Sequence, residues 1–213
     1  MSYSSAILAG LFAATVLAAA GCGSGNEEEG PRNPATEGAF IRPLGEMTAL
    51  DAKLFEAAGK GDTDAAEEAL EEGADINAVD KLKRTPLFGA AFYNRAGTVR
   101  LLAERGADVN AKDFSGFSPL HAAVAAGSRE AVAALVAKGA NVNDRVVGGR
   151  TPLHLAAATN QPLLVEFLLG NGASPQAKDN EGHTPAALAS LNSHTAVRDQ
   201  IKRWVDARKA PRK

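Results

Sequence analysis

The chain has 213 residues, a formal net charge of -2, 45% apolar side chains and only 5% aromatics. That length allows one or two ordinary domains, and an apolar set rich in Ala and Leu suits short stacked helices better than a wide ligand pocket. The single cysteine excludes a disulfide within the chain. The near-neutral total hides a polarity. Ser24 to Arg84 carries 15 acidic against 7 basic residues, and His194 to Lys213 carries 7 basic against 2 acidic. Such polarity bears on solubility and on steering a partner, not on fold.

Residues 1–21 read as a targeting segment. Ala6 to Ala20 is an apolar run broken only by Gly10 and Thr15, too short to span a membrane, and fits the core of a secretory signal. Met1 to Ser5 holds no Lys or Arg, so the amino terminus is its sole positive charge. The run closes on Leu17-Ala18-Ala19-Ala20-Gly21-Cys22, which resembles the bacterial lipobox, where small residues precede a cysteine that becomes lipidated. Ala19 stands where Leu is usual. The resemblance implies export, with Cys22 anchoring a soluble domain to the periplasmic face of a bacterial membrane. Gly23 in place of Asp points to the outer membrane. Residues 22–46 form an acidic tether with Pro31, Pro34 and Pro43 that cannot bury enough apolar surface to order itself.

Beyond the tether, two markers recur every 33 residues. The first is Thr85-Pro86-Leu87-Phe88, then Ser118-Pro119-Leu120-His121, Thr151-Pro152-Leu153-His154 and Thr184-Pro185-Ala186-Ala187. The second is Gly73-Ala74-Asp75-Ile76-Asn77, repeated from Gly106 and Gly139 and worn to Gly172-Ala173-Ser174-Pro175-Gln176. This is an array of units near 47–77, 78–110, 111–143, 144–176 and 177–208, followed by a basic tail, 209–213. In each unit Thr or Ser caps a first helix and Pro takes its first position, where a missing amide is harmless. Gly closes the second helix. The first unit has Ala52-Lys53 in place of Thr-Pro, and its helix is predicted to start after Thr48 with Asp51 three residues on, as in a capping box. The last helix is predicted from Thr195 to Ala207, with fraying from Arg208.

The pattern resembles the ankyrin repeat over residues 48 to 208. The resemblance implies an all-α solenoid of about five stacked helix pairs joined by short β-hairpin-like turns, monomeric on its own, with no cofactor. It implies that the motif histidines His121 and His154 bond backbone groups between units, a structural role. Phe88 and Ala187 replace that histidine, so both junctions are expected to lose the link, the last being the soft end. It also implies that turn tips and first-helix faces line a concave binding groove.

The tips are 78–84, 111–117, 144–150 and 177–183. Gly116, Gly149 and Gly182 share one phase, where a turn requires positive φ, and Lys83 breaks that rule in the first tip. Other tip positions vary strongly and are free to specify a partner. The candidates are Leu82, Arg84, Phe114, Phe117, Arg145, Val146, Val147, Asn180 and Glu181, with Tyr93 at the end of a first helix. Phe114, Phe117, Val146 and Val147 lead, because exposed aromatic and apolar groups centre protein interfaces. For each Phe the alternative is packing under its own hairpin, and for Tyr93 it is inter-helix filling.

No nucleophile arrangement, metalloprotease motif or phosphate loop occurs, so the chain is read as a non-enzyme. His183 and His194 lie at phases unrelated to the motif histidines, which argues against a metal site. In an exported protein the basic tail meets anionic lipid or an acidic partner rather than nucleic acid. The expected function is a non-catalytic periplasmic scaffold for an unidentified protein partner. Exported proteins of this architecture include some resembling accessory factors in oxidative-stress defence and others resembling immunity proteins against a secreted toxin. A structural envelope role is the remaining alternative.

Overall fold

In a computed structural model the described residues are 47–209. The predicted targeting segment, Cys22, the predicted tether up to residue 46 and residues 210–213 of the basic tail lie outside them. Among the described residues there are ten helices in five antiparallel pairs. They are α1 (Ala49–Lys60) with α2 (Thr63–Glu71), α3 (Pro86–Phe92) with α4 (Ala96–Glu104), α5 (Pro119–Ala126) with α6 (Arg129–Ala137), α7 (Pro152–Ala158) with α8 (Pro162–Gly170), and α9 (Pro185–Leu191) with α10 (Thr195–Lys209). None of them is long and apolar enough to cross a membrane.

The caps act as the sequence predicts. The hydroxyl of Thr85 accepts from the Phe88 amide at 3.2 Å, and that of Thr184 from the Ala187 amide at 3.3 Å. Thr48 and Asp51 form a reciprocal capping box, so α1 starts about one turn before the repeat register and absorbs Ala52 and Lys53. At the other end α10 continues to Lys209 rather than fraying from Arg208. The Arg208 guanidinium lies 3.6 Å over the Trp204 ring, a cation–π contact that holds the last turn.

First helices stack on first helices and second on second. Leu87, Leu120 and Leu153, the motif leucines, are fully buried, as are Leu102, Leu135 and Leu168 on the second helices. They belong to one continuous apolar core running through all five units. A single pair of this size buries one side only, so each unit is stabilised mainly by its neighbours.

Polar stitching runs along the same junctions. His121 Nδ1 accepts from the Ser118 amide (3.3 Å) and lies 2.8 Å from its hydroxyl, and Nε2 reaches the Asp144 carbonyl at 3.2 Å. His154 does the same with Thr151 and the His183 carbonyl at 3.1 Å. With Nδ1 accepting from the amide, Nε2 carries the proton and donates to the next unit. Burial pushes the His121 ring down to about 4, against the opposing pull of Asp144. Burial likewise lowers His154.

These links correct one expectation. Each histidine bonds the tip of the following unit, so the fourth and fifth units keep their polar link through His154. The junctions without a motif histidine are the first two, where Phe55 and the buried ring of Phe88 stand at its position.

Two further rows escaped the sequence reading. The side chain of Asn77 accepts from the Asp108 amide, Asn110 from Asn141 and Asn143 from Ser174, all within 2.9 Å, and Asp51 does the same for Asp75. Arg95, Ser128, Gln161 and His194 each donate or reach back to a carbonyl at the end of the preceding first helix, those of Gly59, Phe92, Val124 and Ala157. His194 is thus in register with Arg95, Ser128 and Gln161, a phase distinct from that of the motif histidines. The four side chains share a donor function and no other likeness, so matching by residue type misses them.

Candidate functional site

Each tip is a short reversal built on one residue. In the first, the Asp80 amide donates to the Arg84 carbonyl (2.9 Å) and the Asp80 carbonyl accepts from Lys83 (2.8 Å). Asp113 with Phe117 and Gly116, Val146 with Arg150 and Gly149, and Asp179 with His183 and Gly182 repeat this pair of bonds. No described residue is in a strand; two main-chain bonds close each reversal without a longer ladder. Where that residue is Asp, its carboxylate takes two more tip amides, as Asp113 does from Ser115 and Phe117, each at 2.8 Å.

Neighbouring tips are joined by one main-chain bond apiece. Phe114 donates to the Leu82 carbonyl (3.2 Å), Val147 to Ser115 (3.1 Å) and Asn180 to Gly148 (2.9 Å). The glycine row serves both geometries. Gly116 and Gly149 have φ of 76 and 77°, and a side chain on Gly116 would sit 3.2 Å from the Val147 amide. Lys83 takes the same conformation at φ 63°, which costs an L-residue about 1–2 kcal/mol. Lys83→Gly is expected to raise stability by about 0.5–1 kcal/mol after the entropy that glycine loses, read as a higher urea midpoint at unchanged slope.

Against this geometry the predicted partner residues divide. Leu82, Phe114 (70% exposed) and Val147 (77%) point outward on three successive tips. Asn180 and Glu181 are exposed on the fourth. Arg145 is exposed and its guanidinium donates to the Lys178 carbonyl. Phe117 instead folds under its hairpin, edge-on to His121 with ring centres 5.8 Å apart. Val146 is only 6% exposed. It takes the turn position that Asp80, Asp113 and Asp179 hold in the other tips, whose side chain tucks inward. Arg84 is half-buried in an ion pair with Asp80 at 2.9 Å. Tyr93 is 49% exposed but sits at the far end of α3, about 10 Å of helix from the tips, edge-on to Phe92 and against Gly59.

Electrostatically the tips are sorted. Burial pushes the Asp113 carboxyl up, in spite of its two amide bonds. Burial also raises Asp179, but the His183 amide, Arg150 and the Glu181 amide outweigh it and leave the carboxyl below its ordinary value. Asp144 pairs with Lys112 at 2.6 Å. The turn carboxylates Asp80, Asp113 and Asp179 are thus used up inside the array. Asp179, Glu181 and His183 bring three possible ligand atoms within 4.8 Å of one another. Asp179, however, already accepts two amides through Oδ1 and faces Arg150 through Oδ2, which leaves it little to offer a metal ion.

Two family models match the chain. One, ankyrin repeats in three copies, covers residues 54–146, and the other, ankyrin repeats in many copies, covers residues 135–189. No curated protein matches it.

Proposed function

The chain belongs to the ankyrin-repeat family and is a non-enzymatic protein whose architecture is that of an interaction scaffold, and from that premise we propose that it holds a protein partner on its row of tips at the periplasmic face of a bacterial membrane. The observation carrying the tip assignment is the outward line of Leu82, Phe114 and Val147 on consecutive, hydrogen-bonded tips. A rigid scaffold that leaves large apolar groups in water on successive tips is suited to burying them in a partner. Export is supported by the apolar run from Ala6 to Ala20 and the lipobox-like ending at Cys22. Within that setting the role we favour is an accessory one in oxidative-stress defence.

The test is a pull-down from envelope extract with residues 45–213, which carry the core of the described residues. The Phe114→Ser, Val147→Ser double variant is expected to lose most of the captured partner, since truncating central apolar anchors costs about 2 kcal/mol or more each. Equal capture by both proteins would remove the tips from the interface. Mass spectrometry of the native amino terminus checks the anchor, and an unmodified Cys22 thiol ends that part of the proposal. A deletion strain is expected to be peroxide-sensitive. Normal peroxide resistance together with a tight one-to-one complex with a secreted toxin would transfer the protein to the immunity role.

A further inference from the structure

The loop-and-tip segments of neighbouring units are joined at three points. In residues 141–147 the Asn141 amide donates to Asn110 Oδ1 (2.9 Å), the Arg145 carbonyl accepts from Lys112 Nζ (3.3 Å) and the Val147 amide donates to the Ser115 carbonyl (3.1 Å). One unit on, residues 174–180 repeat all three. The Ser174 amide donates to Asn143 Oδ1 (2.8 Å), the Lys178 carbonyl accepts from the Arg145 guanidinium and the Asn180 amide donates to the Gly148 carbonyl (2.9 Å). Each segment thus meets its predecessor by its first amide, its fifth carbonyl and its seventh amide.

The next set in register is the Gln176 side chain, Lys178 Nζ and the Glu181 carbonyl. Gln176 and Lys178 are exposed, and none of the three groups has a hydrogen-bond partner among the described residues. No further segment follows them there, because α10 stays helical to Lys209. Beside them lies a cleft of about 190 Å³ lined by Pro175, Gln176, Ala186, Ile201 and Lys202. Ala186 and Lys202 stand one repeat after Leu153 and Leu169, both buried, so apolar side chains fill the matching place in the preceding unit. The second residue of the earlier segments, Ile76, Val109 or Val142, also packs against the core.

The opposite edge of the row is closed. Asp75, first in the first segment, already donates its amide to Asp51 Oδ1 at 2.9 Å. The early turn of α1 takes the place of a preceding tip. A second copy of the chain therefore offers no free first amide with which to continue the row, and the occupant of the open edge is a different protein.

Beyond the tip assignment and independently of it, we propose that the open edge of the last tip captures a seven-residue loop segment of a partner protein, continuing the stitching between units. The first and seventh amides of that segment donate to the Gln176 side chain and the Glu181 carbonyl, its fifth carbonyl accepts from Lys178, and an apolar second side chain enters the cleft at Ala186.

The experiment titrates the full-length chain into a synthetic peptide followed by anisotropy. The peptide copies residues 141–147, Asn-Val-Asn-Asp-Arg-Val-Val, behind an amino-terminal fluorescein–glycine linker. A second peptide carries N-methyl groups on its first and seventh residues, which removes both donors, and a third carries one on its sixth residue as a control for bulk. The doubly methylated peptide is expected to bind about tenfold or more weaker than the parent, and the control within about twofold of it. Gln176→Ala is expected to weaken the parent peptide about fivefold. Ala186→Leu, which refills the cleft, is expected to weaken it by about as much, with a circular dichroism melt no lower than that of the unaltered chain. Phe114→Ser is expected to leave peptide binding unchanged. Equal binding of the parent and doubly methylated peptides, indifference to both Gln176→Ala and Ala186→Leu, or no measurable binding overturns the proposal. If the peptide fails while capture from extract still depends on Phe114 and Val147, only the open edge is lost. If the peptide pattern holds while capture is indifferent to those residues, the tip assignment alone fails.

Discussion

Acidification from pH 7 to pH 4 is expected to cost the array about 3 kcal/mol through His121 alone. The ring is fully buried and its folded value is pushed down to about 4 from an ordinary 6.5. Between those values the unfolded chain binds a proton that the folded chain refuses. Stability from this source is complete above pH 6.5 and drains as pH falls through the folded value. The geometry shows why refusal is strong: Nδ1 faces both the amide and the hydroxyl of Ser118, and Nε2 already faces the Asp144 carbonyl. His154 acts in the same direction. Asp113, raised by burial, opposes it only near the acid end of the window. Urea unfolding at pH 7, 5.5 and 4.5 measures the slope. His121→Gln keeps the capping-box pattern without a titrating ring, so its slope is expected to be distinctly shallower, whatever its stability at pH 7. The same slope in both proteins would show that acid acts elsewhere.

Leu153→Ala is expected to remove about 3–5 kcal/mol. Leu153 is fully buried on α7, within the continuous core and between α5 and α9. Leu163→Ala, on the exposed side of α8, is expected to change stability by less than about 0.5 kcal/mol. Because units are held by nearest neighbours, a cavity in the fourth also loosens the fifth. Trp204 is the only tryptophan and lies in α10, so its fluorescence reports the last unit. In Leu153→Ala the tryptophan transition is expected at lower urea than the circular dichroism transition, with the two coinciding in the parent. Coincident transitions in the variant would mean that the array unfolds as one block.

How much of this was legible beforehand depends on the type of residue. Thr-Pro-Leu-His and Gly-Ala-Asp act within their own unit, through caps, a fixed φ and a buried leucine, so the 33-residue interval carried the helix pairs directly. The extra turn of α1 was also readable, because Thr48 and Asp51 are a local pair. The last helix runs two residues past its predicted end, where Arg208 lies over Trp204 four residues earlier on the same face.

The candidate site was half legible. Variable tip positions single out the candidate segments, yet which of Phe114 and Phe117, or of Val146 and Val147, faces outward cannot be ranked from composition. One member of each pair turns inward because the hairpin alternates its sides and His121 offers Phe117 a surface to pack on. The destination of the motif histidine was likewise a matter of three dimensions. His154 reaches a carbonyl 29 residues away, so which junction lacks a link follows from stacking order.

The sequence by itself determined the repeat, the helix ends and the buried leucines, since each depends on residues within a turn or two of one another. Only the tertiary structure decided which side chains face out, which carboxylates are spent inside the tips and which donors stitch the units, because those depend on groups one whole repeat apart.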